Sequence, residues 1–426
     1  MKSRSILFGF LFVCLFLSKT SAQTILGTYV TSQSLKEYSL LTDTSFVNLV
    51  EFPFIGIKFN INSDPGFKSF IFSNQNIIGI NFDQYANNIE IASQHLMDMK
   101  NTLLYYTYKR SNQIYSFGID HRLFVDCMFS HKLMSLLING NYQYLNQNLT
   151  LDDKNYISAL NYLSFYFGYS SLINESLYLN SKIKFIKGLG SMNLDLGGTQ
   201  FLLDENFNSE QNPFDIELIS NFSFDINHDH KTLSNLGVAV DLYAEYEYTS
   251  RISMYANIND LGIILWNEQN NKSQGTFYFD GIDYSLDQVL STEFENLQDT
   301  IINIFSTESH YTNKVRLMPY STNLGLTYDF VNENQINFNF SIQKLYKSVF
   351  CSAKISYLKF FPNQKFKFIP SYSINKYNFA NLSISLNKKW ANRYYTNIFV
   401  NNIIELFTPI SEISQVGFGW ELYMLF

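Results

Sequence analysis

The sequence predicts an all-β protein: an antiparallel transmembrane β-barrel of about 14 strands (12–18), with one or two short loop helices. Three observations predict it. Apolar and polar residues alternate with period two in run after run, the chain ends on an aromatic residue in the apolar phase of such a run, and the first residues read as an export signal.

The export signal comes first. Lys2 and Arg4 precede an apolar run from Ile6 to Leu17, and Thr20-Ser21-Ala22 then offers small residues for cleavage before Gln23. The run is shorter than the roughly 20 apolar residues a membrane-spanning helix needs, so residues 1–22 read as a cleavable signal peptide. Cys14 sits inside this apolar run, with Leu15-Phe16-Leu17 after it, which argues against a lipid-modified start. Removing Lys2, Arg4 and Lys19, with no acid among them, takes the net charge from −7 to −10. That balance excludes the basic stripe of a nucleic-acid binder. Charged residues make up 16% of the chain and aromatics 17%, a mixture that suits a wall whose alternate residues face lipid and lumen.

The wall itself is written in the runs. In the last one, Val416, Phe418, Trp420, Leu422, Met424 and Phe426 are apolar, against Gln415, Gly417, Gly419 and Glu421. Leu324, Leu326, Tyr328 and Phe330 alternate with Asn323, Gly325, Thr327 and Asp329. Ile336, Phe338, Phe340 and Ile342 do so with Asn337, Asn339, Ser341 and Gln343. The same period covers 238–246, 252–258, 349–357 and 382–387. Such lengths suit tilted strands, which cross a bilayer in about 9–11 residues. Short polar segments, Asn332-Glu333-Asn334, Asn387-Lys388-Lys389 and Asn227-His228-Asp229-His230, read as hairpin turns between antiparallel neighbours. The lumen phase is rich in Asn and Ser rather than strongly charged. Phe426, with Trp420 in the same phase, resembles the C-terminal signal that the barrel-assembly machinery reads.

Three segments break the alternation. Residues 23–46 form a leader, which could plug the lumen or hang in the periplasm, and the barrel is expected over 47–426. Residues 84–99 place Ile89, Ile91, Ala92, Leu96 and Met97 at helical spacing and read as a short amphipathic loop helix, with strands resuming near Asn101. Residues 267–313 form an acidic insertion in which Ser285 and Gln288 fit a capping box, and Leu286, Leu290, Phe294, Leu297 and Ile301 mark one helical face. With seven strands expected after it and a periplasmic C-terminus, this insertion falls outside the cell, where the helix would act as a lid.

Catalytic chemistry is not evident. No nucleophile elbow, metalloprotease helix, phosphate loop or Cys-x-x-Cys pair occurs, and no enzyme activity or cofactor is expected. Asp225, His228, Asp229 and His230 make the one compact cluster of metal-ligand types, but its place in an expected turn favours a backbone role, and no metal is assigned. Cys127 and Cys351 read as isolated strand thiols.

Leu136-Leu137-Ile138-Asn139-Gly140-Asn141, Phe167-Gly168-Tyr169 and Leu179 through Phe185 resemble a Bacteroidota family of outer-membrane barrels that carries a domain-of-unknown-function label. The longer match is Gly237-Val238-Ala239-Val240-Asp241-Leu242 followed by Asn259-Asp260-Leu261-Gly262-Ile263-Ile264-Leu265-Trp266, a strand pair with an Asp-Leu-Gly turn toward a Trp. The resemblance covers most of the chain after the signal peptide and implies a barrel distantly similar to long-chain fatty-acid transporters and to type IX secretion and gliding components. It implies no functional residues. The expected function is transport or channelling of a small or hydrophobic molecule across the outer membrane; the alternative is a non-conducting structural or assembly partner of an envelope machine. Expected partners are outer-membrane lipid, lipopolysaccharide, the barrel-assembly machinery and an unidentified envelope protein.

Deleting Phe426 is expected to slow insertion, because the assembly signal loses its aromatic end. The rate of appearance of the heat-modifiable band on gels measures this, and an unchanged rate would remove the assembly role.

Overall fold

The computed structural model describes residues 48–51, 56–64, 71–74, 77–80, 89, 92–139, 148–152, 154–195, 200–203, 214–217, 220–225, 234–273, 307–330, 334–375, 381–390, 393–403 and 415–426. The expected signal peptide and leader, Asn227–His230 and the five apolar residues of the expected lid helix lie outside them.

Fourteen wall positions close into a ring. The strands are β1 (Asn48–Glu51 and Gly56–Asp64), β2 (Ala92–Arg110), β3 (Gln113–Ser130), β4 (Tyr156–Asn174), β5 (Leu177–Asp195), β6 (Ser220–Asp225 and Leu236–Thr249) and β7 (Ile252–Ser273). They continue with β8 (Thr307–Leu317 and Tyr320–Asp329), β9 (Gln335–Lys344), β10 (Val349–Phe361), β11 (Phe366–Asn375), β12 (Asn381–Trp390), β13 (Tyr394–Asn401) and β14 (Gln415–Leu425). Each pairs antiparallel with its sequence neighbours, and β14 pairs with β1, where Asn48 and Phe426 exchange backbone hydrogen bonds of 2.9 and 3.0 Å. Within the ring, no described strand is left as an edge for another chain to add to.

The ring has two different ends. Residues 48 and 426 share one end with six short turns, at 111–112, 175–176, 250–251, 330–334, 362–365 and 391–393. The long connections, 274–306 among them, leave from the other. We call these the turn end and the loop end.

Alternation sorts side chains as the sequence predicts. Leu324 is 53% exposed on the outer wall, while Asn323 beside it is 0% exposed inside. Phe338, Phe340, Phe418 and Trp420 face out, while Asn339, Ser341 and Glu421 are buried inside. On β5 the outward exposed phase runs from Leu179 through Ile183 and Phe185 to Leu189, the span a tilted strand needs to cross about 25–30 Å of hydrocarbon. Beyond it, toward the loop end, the outward residues Val125, Cys127, Ile157, Ala159 and Met192 are buried together. That part of the wall is covered by protein and stands clear of lipid. Tyr106, Tyr108, Tyr248, Phe330, Trp390, Tyr394 and Phe426 ring the turn end on the outside, the aromatic girdle of a membrane interface.

The wall is uneven in height. Strands β2, β4 and β5 have 19 residues and β3 has 18, whereas β9, β11 and β12 have 10 and β13 has 8. At about 3.3 Å per residue, the tall side rises roughly 30 Å further along its strands.

Several local readings are corrected. The expected helix at 84–99 is overridden from Ala92 onward: β2 starts there and pairs with β3 along its length, while Ile89 is buried outside any element. The one α-helix among the described residues is α1 (His131–Asn139) in the β3–β4 connection; Ser130 Oγ caps it by accepting from the Leu133 N–H at 3.2 Å. Asn387-Lys388-Lys389 is strand, not turn, since β12 continues to Trp390. The strands on either side of 226–235, Ser220–Asp225 and Leu236–Thr249, both run antiparallel to β5 and so share one wall position rather than forming an antiparallel pair. The ends of the 267–313 segment are wall as well, because 267–273 and 307–313 pair residue for residue. Seven wall strands follow it, as the sequence count expected.

A charge on the outer face at mid-wall costs about 2–4 kcal/mol. Leu326→Arg is therefore expected to lower folding yield sharply in lipid vesicles, while Thr327→Arg, which projects into the internal cavity, should fold as wild type. Equal yields would mean the faces are reversed.

Candidate functional site: the lumen

The lumen is layered, and β2 reads the layers in order. From the loop end its inward residues are Gln94, Leu96, Asp98, Lys100 and Thr102; after a bulge at Thr102/Leu104 they continue with Tyr105. Gln94 belongs to a closure, Leu96 to an apolar layer, Asp98 and Lys100 to a layer of buried charge, and Tyr105 to an aromatic layer toward the turn end.

The closure is made by the β9–β10 connection, Leu345–Ser348, at the top of the short wall. It reaches across the ring to the tall wall. Gln94 Nε2 of β2 donates to Ser348 Oγ at 2.8 Å and to Asp126 Oδ1 at 3.0 Å, and Tyr156 also donates to Asp126 at 3.1 Å. Asn193 Nδ2 donates to the Tyr346 hydroxyl at 2.7 Å. Lys347 pairs with Asp195 and lies 5.5 Å from the Tyr156 ring centroid. Positions 2 and 9 in a ring of fourteen are opposite each other, so these bonds span the mouth.

Beneath the turn, Leu345 and Phe350 join Leu96, Phe124, Leu160, Ile186, Ile264 and the fully buried Trp266 in one apolar cluster. Trp266 fits because Gly188 faces it: a Cβ there would lie 2.5 Å from the indole ring.

The charged layer follows. Arg122 grips Asp98 with two hydrogen bonds, Nε at 3.0 Å and Nη2 at 2.8 Å, and also pairs with Asp260. Lys184 sits 2.6 Å from both Asp241 and Asp260, and Lys100 is 2.7 Å from Asp120. Lys182 is buried beside them, 5.5 and 5.7 Å from the Tyr166 and Tyr105 ring centroids. Four cations thus face four carboxylates drawn from β2, β3, β5, β6 and β7. A buried bidentate Arg pair is geometrically specific, but the desolvation it incurs makes it a poor source of stability by itself.

Asp260 reaches this layer through a β-bulge. Val240 pairs with Leu261 and Leu242 with Ile258, so Asn259 and Asp260 together oppose Asp241 alone. Asp260 has φ 59°, in the left-handed region Asp tolerates better than most residues, and its N–H donates to Asp241 Oδ1 at 2.7 Å. The extra residue reverses the phase: Met254 and Ala256 point out before it, and Leu261, Ile263 and Leu265 after it. The Asp-Leu-Gly segment expected as a turn is therefore mid-strand, and the bulge is what turns both Asp260 and Trp266 inward. The phase jump from even to odd positions was the sequence signal for this site.

Toward the turn end the lumen opens into a cavity of about 810 Å³. It is lined by Tyr178, Tyr243, Tyr255, Tyr395 and Tyr423, by Asn337, Asn339 and Asn397, and by acidic and lysine side chains on different strands. Gly325 lets Tyr255 lie flat against β8, since a Cβ would sit 2.1 Å from that ring. Tyr255 accepts from Asn339 at 2.8 Å and stacks on Tyr243 with ring centroids 5.9 Å apart.

A family model described as a family of unknown function, DUF5723, matches residues 43–395, most of the chain. The chain belongs to that family. No curated protein matches it in sequence. The DUF5723 barrel is similar in fold to the Ralstonia pickettii toluene transporter TbuX, over 90% of this chain and 89% of that one, with 7% identity and a TM-score of 0.42. The Pseudomonas putida toluene transporter TodX covers 91% and 89%, with 8% identity and a TM-score of 0.40. A Pseudomonas aeruginosa FadL homologue covers 89% and 87%, with 8% identity and a TM-score of 0.37. Likeness at this level carries no functional argument, and the lumen has to be read from its own residues.

Trp420 and Phe426 are exposed on the outer wall, Trp420 at the middle of β14 and Phe426 just past its turn-end terminus, away from the lumen. Among the described residues no group of three or more His, Cys, Asp or Glu is placed to hold a metal. Neither Cys127, which is buried, nor Cys351, exposed on the outer wall, forms a disulfide.

Arg122→Ala leaves Asp98 and Asp260 buried without their guanidinium, so a loss of about 3–5 kcal/mol of unfolding free energy is expected. Urea unfolding followed by tryptophan fluorescence measures it; a change under 1 kcal/mol would mean water already screens the cluster.

Proposed function

We propose that the DUF5723 barrel is a gated transporter of the outer membrane for a small molecule, closed at the loop end in the conformation described. The observation that carries this reading is the asymmetry of the lumen, which holds a cavity toward the turn end and is shut at the loop end by a four-residue turn. Besides the apolar seat of Leu345, that turn is attached to the far wall by a few side-chain bonds. Each is worth about 0.5–1.5 kcal/mol net, whereas a wall strand is held by a full backbone ladder. A closure of this kind can open without breaking the barrel.

The outer membrane is the one that β-barrels of this pattern span, and the reading of the first residues as an export signal supports that location. Short turns belong on the periplasmic side of such barrels and long loops outside, so the closure faces the exterior and the cavity opens to the periplasm. The molecule transported is small, and the apolar cluster beneath the closure would favour one with a hydrophobic part. A structural role as a non-conducting partner of an envelope machine is the second reading, and the filled loop-end half of the lumen favours it.

Planar-bilayer recordings separate the two. The wild-type barrel should conduct weakly and in rare openings, and Gln94→Ala with Lys347→Ala should raise both open time and mean conductance several-fold. Silence from both proteins, with normal folding, would leave only the structural reading.

A further inference from the structure

The charges that line the turn-end cavity are sorted by strand, and the sorting is the opposite of that in the layer above. In the buried layer cations and carboxylates meet in pairs. In the cavity Glu245 and Glu247 stand on β6 and Asp329 on β8, whereas Lys354, Lys367 and Lys389 stand on β10, β11 and β12. Within a ring of fourteen, β6 lies five places from β11 and six from β12, close to diametrically opposite, while β8 and β10 come between them, two places apart. The acidic side is held in place: Glu245 accepts from the Tyr243 hydroxyl at 2.7 Å and from Ser253, and the charges nearest it, Asp329 and Glu247, share its sign. At the rim Glu175 extends the acidic side, and Lys365 the basic one. Glu421, on β14, departs from the sorting; it accepts from Asn397 at 2.9 Å.

Acidic groups gathered on some strands and lysines on others set up a field across the cavity. Such a field does little for a neutral molecule and repels half of any singly charged one. It orients a molecule with a positive and a negative end. The space, about 810 Å³, lies within the roughly 300–1,000 Å³ of small-ligand sites. Between the charged sides the tyrosines offer flat amphipathic surface for an apolar or aromatic group. We propose that this cavity binds a zwitterionic, peptide-like ligand, its ammonium toward Glu245, Glu247 and Asp329 and its carboxylate toward Lys354, Lys367 and Lys389. The inference deepens the transport reading by naming the class of molecule; binding itself requires only the open turn end.

Calorimetric titration of the folded full-length barrel in detergent tests it. The probes are the tripeptide Ala-Tyr-Ala, its N-acetyl form, its C-terminal amide and neutral maltose. The free tripeptide should bind about tenfold or more tighter than either blocked form, each of which loses one charge-assisted contact. Glu245→Gln with Glu247→Gln should weaken the free tripeptide by a similar factor and leave the N-acetyl form unchanged. Lys354→Gln with Lys367→Gln should leave the amide unchanged instead. Heat-modifiable migration checks that each variant is folded, and Glu247→Gln alone serves where the double variant is not. Equal affinity for all three peptides, tighter binding of maltose, or no heat at millimolar tripeptide overturns the assignment. None of these outcomes alters the conductance comparison, so failure here and failure of the transport reading are distinct.

Discussion

The bulge at Asn259 and Asp260 decides which side chains β7 sends into the lumen. On its turn-end side the inward residues are Ser253, Tyr255 and Asn257, which belong to the polar cavity and its border. On its loop-end side they are Asp260, Ile264 and Trp266, which belong to the charged layer and the apolar layer. In a strand with period two, one inserted residue exchanges the two faces for everything beyond it. Without that insertion Leu261, Ile263 and Leu265 would crowd the lumen and Asp260 would face lipid. Arg122 and Lys184 would then lose a shared carboxylate, and the apolar cluster its largest member.

The layers serve different ends. The charged layer is balanced within itself, so it fixes five strands relative to one another without holding a ligand. The apolar layer above it excludes water and gives the inward turn a seat for Leu345 and Phe350. The cavity below remains polar and open. The unequal wall heights make this layering work, since a short wall lets its connecting turn fold inward and a tall wall gives that turn something to lean on.

How much of this was legible depends on whether one strand or several carried the signal. The alternation at Leu324–Phe330 or Ile336–Ile342 belongs to single strands with a lipid face and a polar face, and the sequence states it directly. The start of β2 was misread as helix because its inward face carries Leu96 among polar residues and its outward face carries His95, so apolar positions lose their period. The charged layer was not legible, since Asp98, Arg122, Lys184, Asp241 and Asp260 are scattered in sequence and meet only through the stagger of the ring. The inward turn looked ordinary for a similar reason: Leu345-Tyr346-Lys347-Ser348 has no mark of closure until the far wall is known. Asp260 was the exception, since the switch of its neighbours from even to odd apolar positions could be read without coordinates.

The balanced charges also bear on how the wall is put together. All eight members lie between Asp98 and Asp260, on strands that follow one another from β2 to β7. A sheet of only these strands, still open at both edges, can already bring its carboxylates and cations together once it curls. Of the remaining strands β8 sends one more cation inward, Arg316, buried opposite Ile264; the others bring a thin wall rich in Asn and Ser, and the turn that folds over the mouth. The chain is thereby divided into a half that carries the paired charges and a half that closes around it, the two meeting at the hydrogen bonds between Asn48 and Phe426.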